Sequence, residues 1–226
     1  MMKPGIVFLS GLLSFVALSG SWAQNGFHQE WAVGAAGGVN LSSVGFSPKV
    51  QEDMLTGYLG GLTLRWITEK NLGLQVELNF KQQGWKENFD ELSVPEDANY
   101  RFQHRMNYAE LPFMTHIYFG GKHTHFFVNL GPQIGFLLGE HTEDNLNGAT
   151  PQNINAQHTM PADKRFEWGI GGGPGLELRT RIGYFLLEGR YYYALSDFYN
   201  TRHQDVFAKA SSQVISVRLT YLMPFR

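Results

Sequence analysis

His104, His141, His158 and His203 are the side chains best suited to acid–base chemistry, with Ser196, Asp197 and Asp205 close to them in sequence. An imidazole between a hydroxyl and a carboxylate is the equipment of acyl hydrolysis, provided the three come within hydrogen-bond reach. Nothing in the sequence brings these groups together. They fall in polar stretches where a solvated histidine is ordinary, so no enzyme is expected. Glu140-His141 with Glu143-Asp144, and His203 with Asp205, carry metal-ligand types but lack a recurring ligand spacing. His123-Thr124-His125 reads as a turn, again with solvated side chains. Gly171-Gly172-Gly173-Pro174-Gly175 is not a phosphate loop, because neither a helix nor a Lys-Ser/Thr pair follows. No cysteine is present, which rules out disulfides and thiolate metal sites. No metal or cofactor is expected.

A second set of titratable groups is organised differently. Glu77, Glu110, Glu167, Glu177 and Glu188 are matched by Arg65, Lys81, Arg179, Arg190 and Arg218, each on the polar face of an alternating segment. Leu72 to Gln83 shows the pattern most clearly. Leu72, Leu74, Val76, Leu78 and Phe80 share one face of an extended strand, and Gln75, Glu77, Asn79, Lys81 and Gln83 share the other. Alternation of this kind recurs along the chain, with aromatic residues at the ends of the apolar faces. It points to lipid outside and a polar interior, the arrangement of a transmembrane β-barrel.

Eight such strands are predicted: Trp31 to Leu41, Thr56 to Ile67, Leu72 to Gln83, Met106 to Phe119, His125 to Gly139, Arg165 to Thr180, Ile182 to Leu195 and Ser212 to Phe225. The fold expected is all-β, an eight-stranded antiparallel up-and-down transmembrane barrel. Connections after the second, fourth and sixth strands are short, and the others are long and polar. Short periplasmic turns and long extracellular loops have this asymmetry, and an even strand number then leaves both termini periplasmic. A periplasmic aromatic girdle of Trp31, Trp66, Phe119, Phe126, Phe185 and Phe225 is expected, with an outer girdle of Tyr58, Phe136, Phe166, Trp168, Tyr191 and Tyr193. A soluble sandwich or lipocalin-like barrel would instead bury these apolar faces and turn Glu77, Glu167 and Arg190 to water. An eight-stranded barrel has an interior only just filled by side chains, and charges held there must be paired. The ten acids and bases are therefore expected to form a cross-strand ionic plug, with inward glycines leaving room for long side chains.

Residues 1–23 read as a signal peptide: Lys3 supplies the positive region, Ile6 to Leu18 the short apolar region, and Ser21-Trp22-Ala23 the cleavage site. Residues 24–226 form one barrel domain. The net charge is −2 and no basic residues cluster, which argues against nucleic acid as a partner. Three long loops, Trp85 to Gln103, Glu140 to Lys164 and Ser196 to Ser211, are the places to look for binding. Phe198, Tyr199 and Phe207 in the last would form a contact surface or pack on one another over the barrel mouth.

Several short segments carry a resemblance. They are Ala23-Gln24, Tyr58-Leu59-Gly60-Gly61-Leu62, Leu74-Gln75-Val76-Glu77-Leu78 ending at Gly84, and Tyr108-Ala109-Glu110-Leu111-Pro112. Asn129-Leu130-Gly131-Pro132 with Gly135 and Leu187-Glu188-Gly189-Arg190-Tyr191 complete the set. In their order and spacing they resemble the PorT-like outer-membrane β-barrel proteins of Bacteroidetes, over nearly the whole mature chain. The resemblance implies residence in the bacterial outer membrane. The partners it implies are outer-membrane lipid, the barrel-assembly machinery during biogenesis, and an envelope or secretion-system protein. The namesake member supports type IX secretion, but no functional residue carries over, since the shared positions read as architecture. One departure is Arg226, which follows the aromatic Phe225 that assembly machinery reads. The expected role is a membrane-anchored interaction or assembly protein with a plugged interior. The alternatives are a narrow porin-like channel for ions or small solutes and, behind it, an outer-membrane hydrolase.

Overall fold

The structure, a computed structural model, describes residues 28–47, 52–87, 101–145, 161–199 and 209–225. The signal peptide, His158, His203, Asp205, Phe207 and Arg226 lie outside the described residues. Eight strands follow in chain order: β1 Glu30–Ser47, β2 Glu52–Glu69, β3 Leu72–Glu87, β4 Arg101–Gly120, β5 Thr124–Asn145, β6 Phe166–Thr180, β7 Gly183–Ala194 and β8 Lys209–Phe225. Each pairs antiparallel with its neighbour, and β1 pairs with β8 to close the barrel. Closure leaves no unpaired edge, the condition for strands to cross hydrocarbon.

The alternation produces two opposite surfaces. Leu74, Leu78 and Phe80 of β3 are exposed, while Gln75, Glu77, Asn79, Lys81 and Gln83 between them are buried. The same holds around the barrel, with Val33, Leu62, Phe113, Leu130, Leu176, Leu187 and Leu219 turned outward. Such an exterior is stable only against an apolar medium. Leu78 stands about midway along this outer band. Leu78→Arg is expected to destabilise the barrel in bilayers by about 2–4 kcal/mol, while Ser47→Arg, beyond the band, should cost about 0–1 kcal/mol. Urea unfolding in lipid vesicles measures both, and equal effects would contradict lipid contact at Leu78.

The aromatic belts follow the register. Phe225 pairs with Trp31 and Trp31 with Trp66, and the two indoles stack at 5.1 Å with their planes 6° apart. Phe119 pairs with Phe126 at the same short-turn end, and Phe185 packs on Tyr221 at 5.2 Å. Near the long-loop end Phe136 pairs with Phe166, and Tyr58 and Trp168 are exposed. There the tyrosines find polar partners: Tyr191 donates to Gln213 Oε1 at 3.2 Å, and Lys209 Nζ donates to Tyr193 at 2.5 Å. Trp66, Phe185 and Tyr193 are half-buried and the other belt residues are exposed. The turns are tight, and at the β2–β3 turn Asn71 takes a left-handed φ of 72°, a conformation asparagine tolerates better than most residues.

Several strands run well past the predicted ends. β3 continues to Glu87, β4 begins at Arg101, β5 ends at Asn145 and β8 begins at Lys209. Beyond the outer belt the alternation inverts. Val44, Phe46, Trp85, Phe102, Met106 and Leu137 point inward and are buried, while Lys86, Gln103, Arg105 and Glu143 line the outside. The wall has left the apolar medium and behaves as a soluble barrel, so a rule keyed to apolar-out ends the strand one belt too early.

The β2–β3 ladder breaks between Met54 and Leu59. Side chains of β1 reach across this gap. Asn40 Nδ2 donates to Gln82 O at 2.6 Å, and the buried Ser42 hydroxyl accepts from Gly84 N at 2.9 Å and lies 3.0 Å from Gly84 O. Gly84 has φ 153°, and a Cβ there would fall on the backbone oxygen of His104. Ser42→Ala should cost about 1–3 kcal/mol, because it strands buried backbone groups that no strand serves. Ser42→Thr, which keeps the hydroxyl, should recover most of that loss in the same unfolding assay.

Candidate functional site

The interior is built in three storeys. In the middle, Glu77 of β3 is a hub. It takes Arg190 Nη1 at 3.0 Å and Nη2 at 2.8 Å, pairs with Arg218 Nη1, and accepts from Gln75 at 2.7 Å and Asn79 at 2.9 Å. Arg190 also reaches Glu188 through Nε at 2.8 Å, and Arg218 Nε lies 4.0 Å from the same carboxylate. Glu188 and Arg218 face each other directly across β7 and β8. Nearby, Lys81 pairs with Glu110 and stands 4.3 Å from the centre of the Tyr192 ring. Fork-shaped guanidinium–carboxylate pairs of this kind meet the demand that buried charge be neutralised and hydrogen-bonded.

Toward the short-turn end, Glu177 takes both Arg65 and Arg179 at 2.5 Å. His116 donates through Nδ1 to Asn129 Oδ1 at 2.8 Å, which leaves Nε2 to face Arg65 at 3.5 Å. Arg179 lies over the rings of Tyr184 and Tyr118 at 4.8 and 5.3 Å. Below this group Ala32, Ile67, Phe127, Leu186 and Leu222 form an apolar cluster that fills the end of the barrel.

All ten acids and bases named from the sequence line the interior, buried apart from the half-buried Arg179. Their pairing is not one to one. Glu77 and Glu177 each take two cations, and among the described residues no base lies within ion-pair distance of Glu167. Its carboxylate instead accepts from Gln83 Nε2 at 3.1 Å and Ser212 Oγ at 2.7 Å. Alternation put Gln83 on the inward face but did not identify Gln83 or Ser212 as the partners of Glu167. Tyr192 was legible as inward once Tyr191 and Tyr193 were outward.

The third storey closes the long-loop end. Trp85 is fully buried, stacked on His104 at 4.6 Å and Phe198 at 5.7 Å, with Phe46 edge-on at 5.4 Å. Met106, Tyr108, Leu137, Tyr199 and Ala210 complete the cluster. Two segments are drawn across the mouth: Lys164 N donates to Phe198 O at 3.0 Å, and Lys164 Nζ donates to Tyr199 O at 3.1 Å. Asp197 Oδ1 accepts from Ala210 N at 2.9 Å. Burial, reinforced by the Glu140 and Asp163 carboxylates, pushes the Tyr199 phenol above its ordinary pKa, so it remains a neutral hydroxyl. Phe198 and Tyr199 are thus part of an inward seal, and Trp85 and His104 belong to strands, not loops.

The structure does bring one predicted histidine to a hydroxyl and a carboxylate. His104 Nδ1 lies 2.8 Å from Thr142 Oγ1 and Nε2 lies 3.0 Å from Glu140 Oε2. This is the order of groups in an acyl-transfer triad. The imidazole, however, is 2% exposed and covered by Trp85, and Glu140 also accepts from Ala162 N at 3.0 Å. The trio ties β4, β5 and the segment before β6 together. His141 is exposed on β5 with Glu143, and Ser196 donates to, and accepts from, the Trp168 backbone. Among the described residues no group of three metal-ligand side chains forms.

Comparison with known proteins agrees with the architecture. The family described as Outer membrane protein beta-barrel domain matches residues 22–200. A search of curated protein sequences finds no match. The outer membrane protein OprG from Pseudomonas aeruginosa aligns with a TM-score of 0.52 at 12% identity, over 87% of this chain and 96% of that one. Ail of Yersinia pestis and Neisserial surface protein A align with TM-scores of 0.42 and 0.41, each at 11% identity over 86% of this chain and 99% of theirs. At 12% identity the likeness to OprG speaks for the fold alone.

Proposed function

The chain belongs to the outer membrane protein beta-barrel domain family, and on that premise we propose that it is a sealed barrel serving as a membrane-anchored interaction or assembly protein. The observation that carries this is the filling of the interior. Within the ionic storey the space left between Lys81, Glu110, Arg190, Tyr192 and Arg218 is a small cavity of about 20 Å³. A porin-like channel needs a continuous aqueous path, and among the described residues charged or aromatic side chains occupy each of the three storeys.

The short turns face the periplasm and the long-loop end faces outward in this proposal, which puts both termini in the periplasm. The PorT-like motifs support a role with an envelope or secretion-system protein, and the rim beyond the outer belt is the surface available for it. The protein is not an enzyme in this reading, because the histidine that meets a hydroxyl and a carboxylate is roofed by Trp85. Affinity purification of the tagged barrel from its native outer membrane in mild detergent tests the role. A stoichiometric envelope component is expected. A barrel that always emerges alone would count against an assembly function.

The Thr142–His104–Glu140 geometry favours one second reading, a hydrolase of ester or amide bonds. It requires turnover of lipid or peptide substrates that Thr142→Ala abolishes while the barrel stays folded. Equal activity, or none, in both forms removes it.

A further inference from the structure

We propose that a cleft in the barrel wall beyond the outer belt binds the phosphorylated saccharide head of an outer-leaflet glycolipid, with Lys86 of β3 and Arg105 of β4 as the phosphate ligands. The cleft holds about 700 Å³, within the range of small-molecule sites. Met54 and Phe102 give it an apolar side, and Thr56 and Asn145 supply hydroxyl and amide groups of the kind that bind sugar hydroxyls. A bulge opens the wall at this place. Between the Met54–Trp85 and Leu59–Lys81 pairs, residues 55–58 of β2 stand opposite residues 82–84 of β3, and Gly84 contributes no side chain. Bulges of this kind bend the strand and re-aim its side chains.

Lys86 and Arg105 line the same cleft and are close enough to share one anion. Lys86 pairs with Gln103 and Gly84 with Arg105, so the two cations are diagonal neighbours on adjoining strands, about 7–8 Å apart at the backbone. Lys86 Nζ stands 4.0 Å from Asp53 Oδ2, and both side chains are about half exposed, so that ion pair is weak. Arg105 Nη1 donates to Gln82 Oε1 at 3.5 Å, and Gln82 Nε2 is itself held on Asn107 Oδ1 at 3.2 Å. This amide chain orients the guanidinium and leaves its other N–H groups for an incoming phosphate. Glu143, the carboxylate in the lining, is already bound by Gln103.

Height selects the kind of lipid. Phe80 is the last lipid-facing aromatic of β3. Gly84, the partner of Arg105, and Lys86 lie farther along the same strand. At about 3.4 Å per residue and a tilt of about 40°, the two cations stand about 10–15 Å beyond Phe80. Phospholipid headgroups occupy only about 5–8 Å on each side of the hydrocarbon, so their phosphates lie below the cleft. The saccharide of a glycolipid reaches it, and phosphate groups on that saccharide meet Lys86 and Arg105. A metal cation would face both positive charges.

The lipid site goes beyond anchoring and rests on the proposed orientation, in which the long-loop end faces the outer leaflet. The purified mature barrel is titrated in detergent with a short-core lipopolysaccharide, with the same lipid dephosphorylated, and with phosphatidylglycerol. Native mass spectrometry counts the bound lipid. One lipopolysaccharide per barrel is expected, and the other two lipids should bind far more weakly. Lys86→Gln with Arg105→Gln should weaken lipopolysaccharide binding by about tenfold or more. Lys70→Gln with Lys122→Gln, exposed at the short-turn end, should leave it unchanged. A folded Lys86→Gln, Arg105→Gln barrel that binds as the parent does, or equal binding of phosphatidylglycerol, overturns the proposal and leaves the orientation standing. Because the chain has no cysteine, the orientation is read separately on intact cells with a membrane-impermeant maleimide. Met54→Cys should label and Lys122→Cys should not. The reverse pattern overturns the outer-leaflet assignment whatever the binding in detergent.

Discussion

Glu77→Gln is expected to destabilise the folded barrel by about 3–5 kcal/mol, a large effect for an isosteric change. The carboxylate accepts from Gln75, Asn79, Arg190 and Arg218 at once. An amide at that place has one acceptor oxygen, and it presents its N–H groups to guanidiniums that cannot accept them. Two buried arginines then share Glu188, which already pairs with Arg190 at 2.8 Å. Removing one partner of a buried pair costs far more than the net worth of the pair, because it leaves charge without compensation. Heat-dependent gel mobility and urea unfolding in detergent measure the loss. The double change Glu77→Gln with Arg218→Met removes one charge of each sign and should recover part of it. A Glu77→Gln barrel as stable as the parent would mean the interior is wet enough to solvate its arginines.

Trp85→Ala is expected to cost about 3–5 kcal/mol and to open the long-loop end without opening the barrel. The indole is fully buried and contacts Phe46, His104 and Phe198. Its loss takes the central stacking partner from Phe198 in the segment that crosses the mouth and from the wall residues Phe46 and His104. Because the chain has no cysteine, Met106→Cys can report on the seal. Met106 is completely buried in the same cluster, so a thiol there should resist a water-soluble maleimide in the parent and react readily in the Trp85→Ala background. The ionic storey lies beneath and is untouched, so permeation should remain closed. Labelling at equal rates in the two backgrounds would show that the aromatic cluster does not seal the mouth.

The part of the fold that crosses the apolar medium was legible in the sequence because one physical rule governs it from end to end. Leu74, Leu78 and Phe80 must meet lipid, Glu77 and Lys81 must not, and a period of two leaves no third choice. The rule stops at the outer belt. Phe46, Trp85 and Phe198 are as apolar as any lipid-facing residue, yet they face inward because water lies outside them. A sequence reader who carries the membrane rule past that height takes wall for loop and His104 for a solvated residue. The charge network was legible as a face but not as a set of pairs. Arg179 sits beside Glu177 on its own strand, but Glu77 meets partners 113 and 141 residues away and Glu177 takes its second cation, Arg65, from 112 residues away. Nothing local decides those pairings or that Glu167 takes Gln83 and Ser212. Those choices depend on the stagger of strands around a closed ring, which is fixed only when β1 meets β8.

Planar-bilayer recording on the purified mature barrel tests the central claim most directly. A sealed interior predicts a quiet membrane across the accessible voltage range, with insertion verified by protease protection and gel mobility in the same preparation. Discrete, ohmic current steps from verified, correctly folded barrels would contradict the sealed anchor and establish a narrow channel in its place.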